Sequence, residues 1–315
     1  MAKPGILVGI GNINEIGPLV KAGATEFYTG LRVTKEVNFP NFRANDDICN
    51  LNNAHELKKT AKIAHKHKKK LFLAVNMPIY KPNTHANIAK TLVNLLETNI
   101  DGLTIADFYL MHELAQQLKK MKLKTKIHLS SLVGCFNKSD LDFFKQFNVS
   151  RILLPQHLYS HEASDFLREP NIETEIFYHL CMQCNYVSSR CHMGRQSLYE
   201  ERKIIKSFPC FYKFSILNWQ TVKNASEIYS RWGTILVNGF SNLYDSVKSG
   251  IDSIKLGSRG LGLDTKLEMV KGLVEVIKLI NKAKDKKSFL TELDKVINIR
   301  KNDSHFRNGK QMGYY

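Results

Sequence analysis

Four cysteines lie close together in the second half of the chain, and thiolates grouped in this way bind metals. Their spacing is Cys181-x2-Cys184-x6-Cys191-x18-Cys210. Four thiolates suit tetrahedral zinc and also a [4Fe–4S] cluster. Zinc ribbons usually show two close CxxC pairs, and only one is present here, so the spacing favours the iron–sulfur cluster over zinc. The interpretation without a metal is that some of these cysteines are buried apolar thiols.

Two further cysteines, Cys49 and Cys135, are isolated in the sequence. For each of them alone, a buried thiol is the favoured interpretation, because cysteine is among the most buried residue types. Both follow predicted strands, however, so either could replace Cys181 as the fourth ligand.

The size and composition of the chain predict a globular protein of the cytoplasm. It has 315 residues, 43% of them hydrophobic, which is enough to bury a large core. No apolar run approaches the roughly 18 to 20 residues of a membrane-spanning helix, and the amino terminus lacks the features of a signal peptide. A reducing compartment disfavours structural disulfides and leaves metal binding or redox chemistry as the usual reason for clustered thiols.

Basic residues outnumber acidic ones by 46 to 29, which gives a formal charge of +17. Such a surplus attracts polyanions, so RNA or an anionic lipid surface is an expected kind of partner. The alternative is that the lysine runs are solvated helix ends, or that they reflect a general lysine bias of the genome.

The elements that position these residues follow an alternating pattern typical of βα units around a parallel sheet. The predicted strands are Ile6–Ile10, Glu26–Gly30, Leu71–Asn76, Gly102–Ala106, Lys126–Ser130, Arg151–Pro155, Glu173–His179 and Ser253–Gly257. The predicted helices are Asn14–Ala22, Ala54–His67, Asn87–Glu97, Tyr109–Met121, Ser139–Gln146, His161–Leu167, Ser241–Lys248 and Leu267–Ala283. Eight such units predict an α/β fold, a (β/α)8 TIM-like barrel.

The cysteines fall in an insertion after the seventh strand. The barrel domain is predicted over residues 1–285 and includes this cysteine-bearing insertion at 180–240, which is too long for a simple loop. Two stretches of it, Phe211–Asn218 and Thr234–Val237, have strand-like composition and could form a small sheet over the barrel mouth. Residues 286–315 are predicted to be a C-terminal helix followed by a mobile basic tail.

Chemistry in this fold gathers at the carboxyl ends of the strands. The polar residues at those ends are therefore substrate candidates: Asn76, Asp107, His179, Lys255 and Arg259. Each also has a simpler interpretation. Asn76 and Asp107 could cap the following helices, His179 could be a satisfied buried histidine rather than a hydrogen-bond donor to the cluster, and Lys255 and Arg259 could be ordinary surface charges.

Several blocks of sequence resemble the collagenase-like peptidase family U32. The most specific block is Glu175-Ile176-Phe177-Tyr178-His179 followed by Cys184 to Cys191, which is similar to E-x-F-x-H-G-x-x-C-x-x-x-S-G-x-C. Weaker matches are Leu73 to Asn76, Asp101 to Asp107, His128-Leu129-Ser130-Ser131, Pro209-Cys210, and Gly250 to Arg259, which is similar to G-x-x-S-x-K-I-E-G-R. The resemblance spans about residues 5 to 285.

The chain also departs from the family pattern. Gln156-His157 stand where the family has Arg-Glu, Phe211 replaces the arginine of P-C-R, Leu180 replaces a glycine, and the acidic residue next to Lys255 is missing. Cys184, Cys191 and Cys210 match positions of family cluster ligands, whereas Cys181 is proposed from its proximity alone. These departures indicate a divergent member.

The resemblance implies oxygen-independent hydroxylation that depends on a [4Fe–4S] cluster, acting on an RNA base or on a quinone precursor, with prephenate as the hydroxyl source. It also implies that the chain could be a non-catalytic cluster-binding subunit that works with a second family member. The third alternative is a zinc-stabilised peptidase or other hydrolase. Proteolysis lacks a recognisable mechanism in the sequence, because no Ser/His/Asp motif, HExxH helix or Cys/His signature is present.

Overall fold

A computed structural model describes residues 3–43, 47–155, 158, 160–167, 169–178, 215–217, 222–224 and 234–302. The four clustered cysteines and His179 lie outside these ranges.

Eight parallel strands close into a barrel. Around its circumference they are β1 (Gly5–Gly9), β2 (Glu26–Leu31), β4 (Lys70–Val75), β5 (Gly102–Ile105), β6 (Lys126–Leu129), β7 (Val149–Leu153), β8 (Glu173–Tyr178) and β11 (Ser253–Leu256). Parallel pairing of β11 with β1 completes the ring, in register Lys255 opposite Leu7. All eight predicted strands are confirmed, with ends that differ by no more than two residues. The predicted (β/α)8 TIM-like barrel is therefore correct.

Three shorter strands lie outside the ring. The two-residue β3 (Asn50–Leu51) pairs with the carboxyl end of β2. Strands β9 (Ser215–Leu217) and β10 (Val222–Asn224) form an antiparallel pair. The first of these falls in the stretch Phe211–Asn218, which the sequence predicted to be strand.

Helices follow most of the barrel strands. They are α1 (Ile16–Ala22), α2 (Ala54–Lys66), α3 (His85–Leu95), α4 (Phe108–Lys120), α5 (Lys138–Lys145), α6 (Ser164–Leu167), α7 (Thr234–Lys248), α8 (Leu263–Lys282) and α9 (Lys286–Asn302). Asparagine or aspartate caps several of them: the side chains of Asn53, Asp107 and Asn137 accept a hydrogen bond from the first turn of α2, α4 and α5. Such caps satisfy amides that have no partner within the helix.

One predicted strand is wrong. Thr234–Val237 begins α7 and is not part of a sheet. The stretch Thr-Ile-Leu-Val is β-branched and apolar, so its composition alone suggests strand. It continues into a helical pattern through Lys248, and short apolar runs cannot be assigned by periodicity.

The main core lies between the strands and the helices. Alternate strand residues point outward into it, for example Ile6 and Val8 on β1 and Leu71 and Leu73 on β4, all fully buried. The residues between them point into the barrel and are often polar, as described below. In the part of the chain that the structure describes, no helix is both long and apolar enough to cross a bilayer.

Lysine occupies a left-handed backbone conformation at the end of two helices. Lys68, after α2, has φ 56° and Lys122, after α4, has φ 55°. The left-handed conformation costs a residue with a side chain roughly 1 kcal/mol, and glycine avoids that cost.

We expect Lys68→Gly to raise the free energy of unfolding by about 0.5–1 kcal/mol, because it removes this strain. The measurement is urea unfolding followed by circular dichroism. The matched control is Lys62→Gly in the exposed interior of α2, where the same change should lower the free energy of unfolding by about 1 kcal/mol. Equal effects at the two positions would contradict the assignment of strain to Lys68.

Candidate functional site

A network of ionised side chains fills the amino-terminal half of the barrel interior. Arg151 on β7 is at its centre and is 3% exposed. Its two terminal nitrogens donate to the two carboxylate oxygens of Glu26 at 2.8 and 2.9 Å, its Nε donates to Glu173 at 2.7 Å, and Nη1 also reaches Glu175 at 3.1 Å. Ser253 adds a hydrogen bond to Glu26 at 3.1 Å. The network therefore ties β2, β7, β8 and β11 together across the barrel.

Burial and charge act in opposite directions within this network. Burial by itself would lower the pKa of Arg151, but the hydrogen bonds and charges of Glu26, Glu175 and Glu173 raise it above its usual range. Burial would raise the pKa of Glu173, and Arg151 lowers it. Both groups are thus ionised at neutral pH, so this partly buried ion pair links β7 and β8.

Lys255 extends the network toward the mouth. Its ammonium group lies 3.3 Å from Glu175 on the neighbouring strand, 4.3 Å from the ring centroid of Tyr28 and 5.5 Å from that of Phe177. The sequence placed this lysine at a strand end as a substrate candidate, and the structure places it inside the barrel, 5% exposed. Burial lowers its pKa, and the Glu175 carboxylate opposes that shift. Glu175 supplies an acidic partner that the local sequence around Lys255 lacks.

Arg259 occupies a space that two glycines leave open. It is 7% exposed, and its guanidinium carbon is 5.8 Å from the Tyr28 ring centroid. A Cβ at Gly9 would lie 2.8 Å from the Arg259 Cβ, and a Cβ at Gly30 would lie 2.6 Å from its Nη1. A side chain at either of these two positions would displace the arginine. The ring of Tyr28 thus carries two cations, Lys255 and Arg259, at the level of the mouth.

The side chain of Tyr28 lies between the charged network and the barrel mouth. Its hydroxyl donates to the carbonyl of Leu256 at 3.2 Å. Burial raises its pKa to about 12, against the smaller opposing effect of Arg259. The phenol is therefore neutral at physiological pH, and its ring face attracts both cations.

His128 on β6 is a buried neutral base inside the barrel. Its ring centroid is 4.4 Å from that of Phe72, and its Nε2 has no hydrogen-bond partner among the described residues. Burial lowers its pKa well below the usual value, and the nearby charges of Arg151 and Lys255 lower it further. A second proton on this ring would add another buried cation close to Arg151 and Lys255.

Asp107 has a structural role at the mouth. Its Oδ1 accepts from the amide of Leu110 at the start of α4, and its Oδ2 accepts from the amide of Tyr80 at 2.8 Å and from His85 Nε2 at 3.1 Å. The helix-cap alternative for this residue is thus realised. Asn76 is different, because it accepts from the amide of Phe42 at 3.3 Å and caps no helix. It fastens the loop after β2 to the end of β4.

The predicted metal ligands Cys181, Cys184, Cys191 and Cys210 lie outside the described residues, as does His179. The chain enters that segment from Tyr178 at the carboxyl end of β8, beside Lys255 and Leu256 of β11. Within the described ranges, no group of three or more His, Cys, Asp or Glu side chains is arranged to hold a metal ion.

Cys49 and Cys135, the two isolated cysteines, are both buried and form no disulfide. Burial raises the pKa of the Cys135 thiol to about 12, and the Asp140 carboxylate adds to that shift. Cys135 is thus a neutral thiol, as the buried-thiol interpretation expects.

Sequence reasoning missed the polar residues of the barrel interior as site residues. They are Glu26, Tyr28, His128, Arg151 and Glu175. Each lies within a predicted strand, and the available signal was the alternation of such residues with Ile, Leu and Phe along strands that should be apolar on both faces. A charged residue at every second position of a barrel strand indicates an interior polar cluster. The pattern does not say which charges pair.

A closed ring of eight parallel strands, helices around it and charged side chains within it define a TIM-like barrel protein. Membership of a family follows from comparison with known proteins. A model described as peptidase family U32 matches residues 11–313, and the chain belongs to this family.

Several relatives are named for tRNA hydroxylation, among them protein P1 of Bacillus subtilis (strain 168), 23% identical over 60% of this chain and 41% of that protein. The chain is 25% identical to tRNA hydroxylation protein P2 of Bacillus subtilis (strain 168) over 299 residues, which are 90% of this chain and 87% of that protein. It is also 25% identical to tRNA hydroxylation protein P of Escherichia coli (strain K12), over 61% of this chain and 39% of that protein. The chain thus spans about two fifths of the longer relative. Among solved structures, the U32 peptidase Mk0906 is similar with a TM-score of 0.42 and 13% identity, over 56% of this chain and 68% of that one.

We expect Arg151→Met to lower the free energy of unfolding by about 3–5 kcal/mol, because the buried carboxylates of Glu26 and Glu175 lose the guanidinium that they contact. Chemical denaturation at pH 7 measures the change. The control is Lys278→Met, which breaks an exposed pair with Glu275 and should have a much smaller effect. A loss at Arg151 as small as that at Lys278 would contradict a stabilising role for the network.

The neutral state of His128 predicts a pH dependence. The unfolded chain protonates this histidine below about pH 6.5, whereas the folded protein does not, so the stability it contributes is present above pH 6.5 and falls as the pH is lowered. Between pH 6.5 and 5.5 the loss from this group is at most about 1.4 kcal/mol.

The measurement is the free energy of unfolding at pH 7.5, 6.5 and 5.5. His128→Gln should show a smaller fall than the wild type, and the control His55→Gln, at an exposed position on α2, should keep the wild-type fall. An unchanged slope in His128→Gln would contradict the assignment.

Proposed function

We propose that this protein supports oxygen-independent hydroxylation of a tRNA base in the cytoplasm, using a [4Fe–4S] cluster held by Cys184, Cys191 and Cys210 with Cys181 as the fourth ligand. The observation that carries the proposal is the similarity to tRNA hydroxylation protein P2, which extends over 90% of this chain and 87% of that protein. The matches to tRNA hydroxylation proteins P and P1 support the same substrate class.

Thiolate ligands are the chemical basis for the cluster. Soft sulfur donors favour iron–sulfur centres, and when bound such a centre supplies one-electron redox chemistry. The cysteine-bearing segment follows β8, which ends at Tyr178. Tyr178 is in register with Leu256 of β11, next to Lys255. This neighbourhood supports a role for the segment in the reaction, because chemistry in this fold takes place at that end.

The cations on Tyr28 suit an anionic co-substrate. Arg259 lies at the mouth on the loop after β11, and Lys255 lies just below it. A carboxylate that entered there would meet positive charge before it met Glu175. Prephenate, the hydroxyl source that the family resemblance implies, carries carboxylates, and we propose it as the co-substrate.

Quinone precursors are a second possible substrate class. No relative reported above carries a name that refers to quinones, whereas three carry names that refer to tRNA. The charge of +17 also suits a polyanion better than an apolar prenyl chain. We therefore favour tRNA.

Hydrolysis of peptides is less well supported. The described residues contain one buried carboxylate and imidazole pair, Asp107 with His85, but the second ring nitrogen of His85 has no hydrogen-bond partner within the described ranges. A nucleophile activated by this histidine would occupy that nitrogen. The zinc-dependent alternative is open to the metal analysis below.

A role as a cluster-binding partner subunit is the remaining alternative. Bacillus subtilis has relatives named P1 and P2, so two family members occur in one organism. If the chain works with such a partner, it will copurify with a second family member, and neither protein alone will restore hydroxylation.

We expect deletion of the gene to remove a hydroxylated nucleoside from tRNA, as measured by mass spectrometry of digested tRNA. The wild-type gene should restore it, and Cys184→Ala or Cys191→Ala should not, because each loses a cluster ligand. The control is Met182→Ala, which changes the same segment without removing a thiol and should restore the nucleoside.

Anaerobic purification tests the cofactor independently. The wild-type protein should be brown and contain iron and sulfide, and Cys184→Ala should have lost most of both. A colourless protein with stoichiometric zinc would overturn the cluster and would support the zinc-stabilised alternative. An unchanged nucleoside profile in the deletion strain would overturn the tRNA substrate.

A further inference from the structure

We propose that the exposed face of helix α4 is a docking surface for a single-stranded segment of RNA, and that it leads this segment to the barrel mouth. The inference rests on the proposed function, because it assumes an RNA substrate. It adds the surface that binds the RNA and the direction in which the strand lies.

Helix α4 connects the two ends of the barrel. It begins at Phe108, directly after Asp107 at the carboxyl end of β5, and ends at Lys120 near the opposite face. Thirteen residues give a helix about 20 Å long. A stacked nucleic acid strand advances about 3.4 Å per nucleotide, so this length corresponds to about six nucleotides.

The mouth end of this helix exposes two aromatic side chains. Phe108 is 58% exposed and Tyr109 is 51% exposed, which is unusual for large rings. The ring of Tyr109 is oriented by an edge contact with His85, at 4.7 Å between centroids, and His85 is in turn held by Asp107. A ring that is exposed and also fixed in orientation can stack with a base at low entropic cost.

The opposite end carries a dense group of lysines. The lysines of this group lie on the segments that enter β4 and β6, and we call them the lysine platform: Lys66, Lys68, Lys69, Lys70, Lys119, Lys120, Lys122, Lys124 and Lys126. Strand β5 lies between β4 and β6, and the segment that enters it contributes Glu97 and Asp101. These lysines far outnumber Glu97 and Asp101, so this part of the surface is strongly basic.

Most of these lysines are available for a ligand. Lys126 pairs with Glu173 and Lys70 lies 3.9 Å from Glu26, but Lys119, Lys120 and Lys122 are exposed and form no ion pair with a described carboxylate. They lie at the negative end of the helix dipole, which lowers the cost of holding them together. Phosphates of a bound strand would replace this diffuse stabilisation with direct contacts.

The face between the two ends is polar. His112 and Gln116 are exposed and hydrogen-bonded to each other at 2.8 Å, and they follow Tyr109 at helical spacing toward Lys119 and Lys120. A helix that lies on a membrane would instead have a continuous apolar face with cations beside it. Aromatic rings at one end, hydrogen-bonding groups in the middle and lysines at the other end fit a single nucleic acid strand better than a lipid surface.

The test is the affinity of the full-length protein for a fluorescein-labelled 12-nucleotide single-stranded RNA, measured by anisotropy at several salt concentrations. The triple variant Lys119→Gln, Lys120→Gln, Lys122→Gln should bind at least about 10-fold more weakly near 0.1 M salt. It should also reduce the slope of log K against log salt by about 2, because three phosphate contacts contribute about 0.7 each. The matched control removes three exposed lysines from helix α8 and the residues after it: Lys271→Gln, Lys282→Gln, Lys284→Gln.

The aromatic end is tested separately. The double variant Phe108→Ala, Tyr109→Ala should weaken binding roughly 10-fold with the salt slope unchanged, because stacking contributes affinity without releasing counterions. Tyr109→Trp and Lys119→Arg should retain wild-type binding, since they keep the ring and the charge. Circular dichroism melting confirms that each variant is folded. If an alanine variant does not fold, the binding of Tyr109→Trp and Lys119→Arg still tests the role of the ring and of the charge.

Equal effects of the two lysine triples would overturn the proposal, because they would show that net charge alone sets the affinity. Binding to phosphatidylserine vesicles with no binding to RNA would overturn it in favour of a membrane surface. If the helix variants bind RNA normally and the deletion strain still lacks the hydroxylated nucleoside, the docking surface is wrong and the proposed function stands. If the nucleoside persists in the deletion strain, the proposed function fails whatever the RNA affinity.

Discussion

The barrel depends on one interaction, the contact of the Arg151 guanidinium with three carboxylates inside the ring of strands. Glu26 comes from β2, and Glu173 and Glu175 come from β8, the strand next to β7 in the ring. The guanidinium contacts all three carboxylates. A buried charge without a partner costs several kcal/mol, so each of these strands is held in the register that keeps the contacts. The usual interior of this fold is filled by branched apolar side chains. Here charge takes their place.

The same network determines the charge at the barrel mouth. Glu175 holds Lys255 at 3.3 Å, Lys255 lies against one face of Tyr28, and Arg259 lies over the same ring. Positive charge therefore increases from the base of the barrel, where carboxylates dominate, to the mouth, where cations do. An anionic ligand is favoured at that end for this reason. Gly9 and Gly30 are part of the same arrangement, because any side chain there would displace Arg259.

The outer surface of the barrel is divided in a corresponding way. Large apolar and aromatic side chains are exposed at the mouth, among them Ile79 on the loop after β4 and Phe108 and Tyr109 in the first turn of α4. Segments that enter β4 and β6 carry the lysine platform at the other face. Asp107 links the mouth to helix α4. Its carboxylate caps α4 and also accepts hydrogen bonds from the amide of Tyr80 and from His85. A substitution at Asp107 would therefore disturb the mouth and the helix together.

The sequence by itself determined the eight strands, the barrel and the family, because strand periodicity and the cysteine block are local patterns. It identified Asp107 as a possible helix cap, and it assigned Thr234–Val237 wrongly because four residues cannot distinguish strand from helix. Only the tertiary structure decided that Lys255 is an interior residue with Glu175 as its partner. These two residues are on strands separated by the whole cysteine-bearing segment, and they meet only because β8 and β11 are neighbours in the closed ring. Pairing of charges is a property of distances in space, and distances follow from the closure of the barrel and not from spacing along the chain.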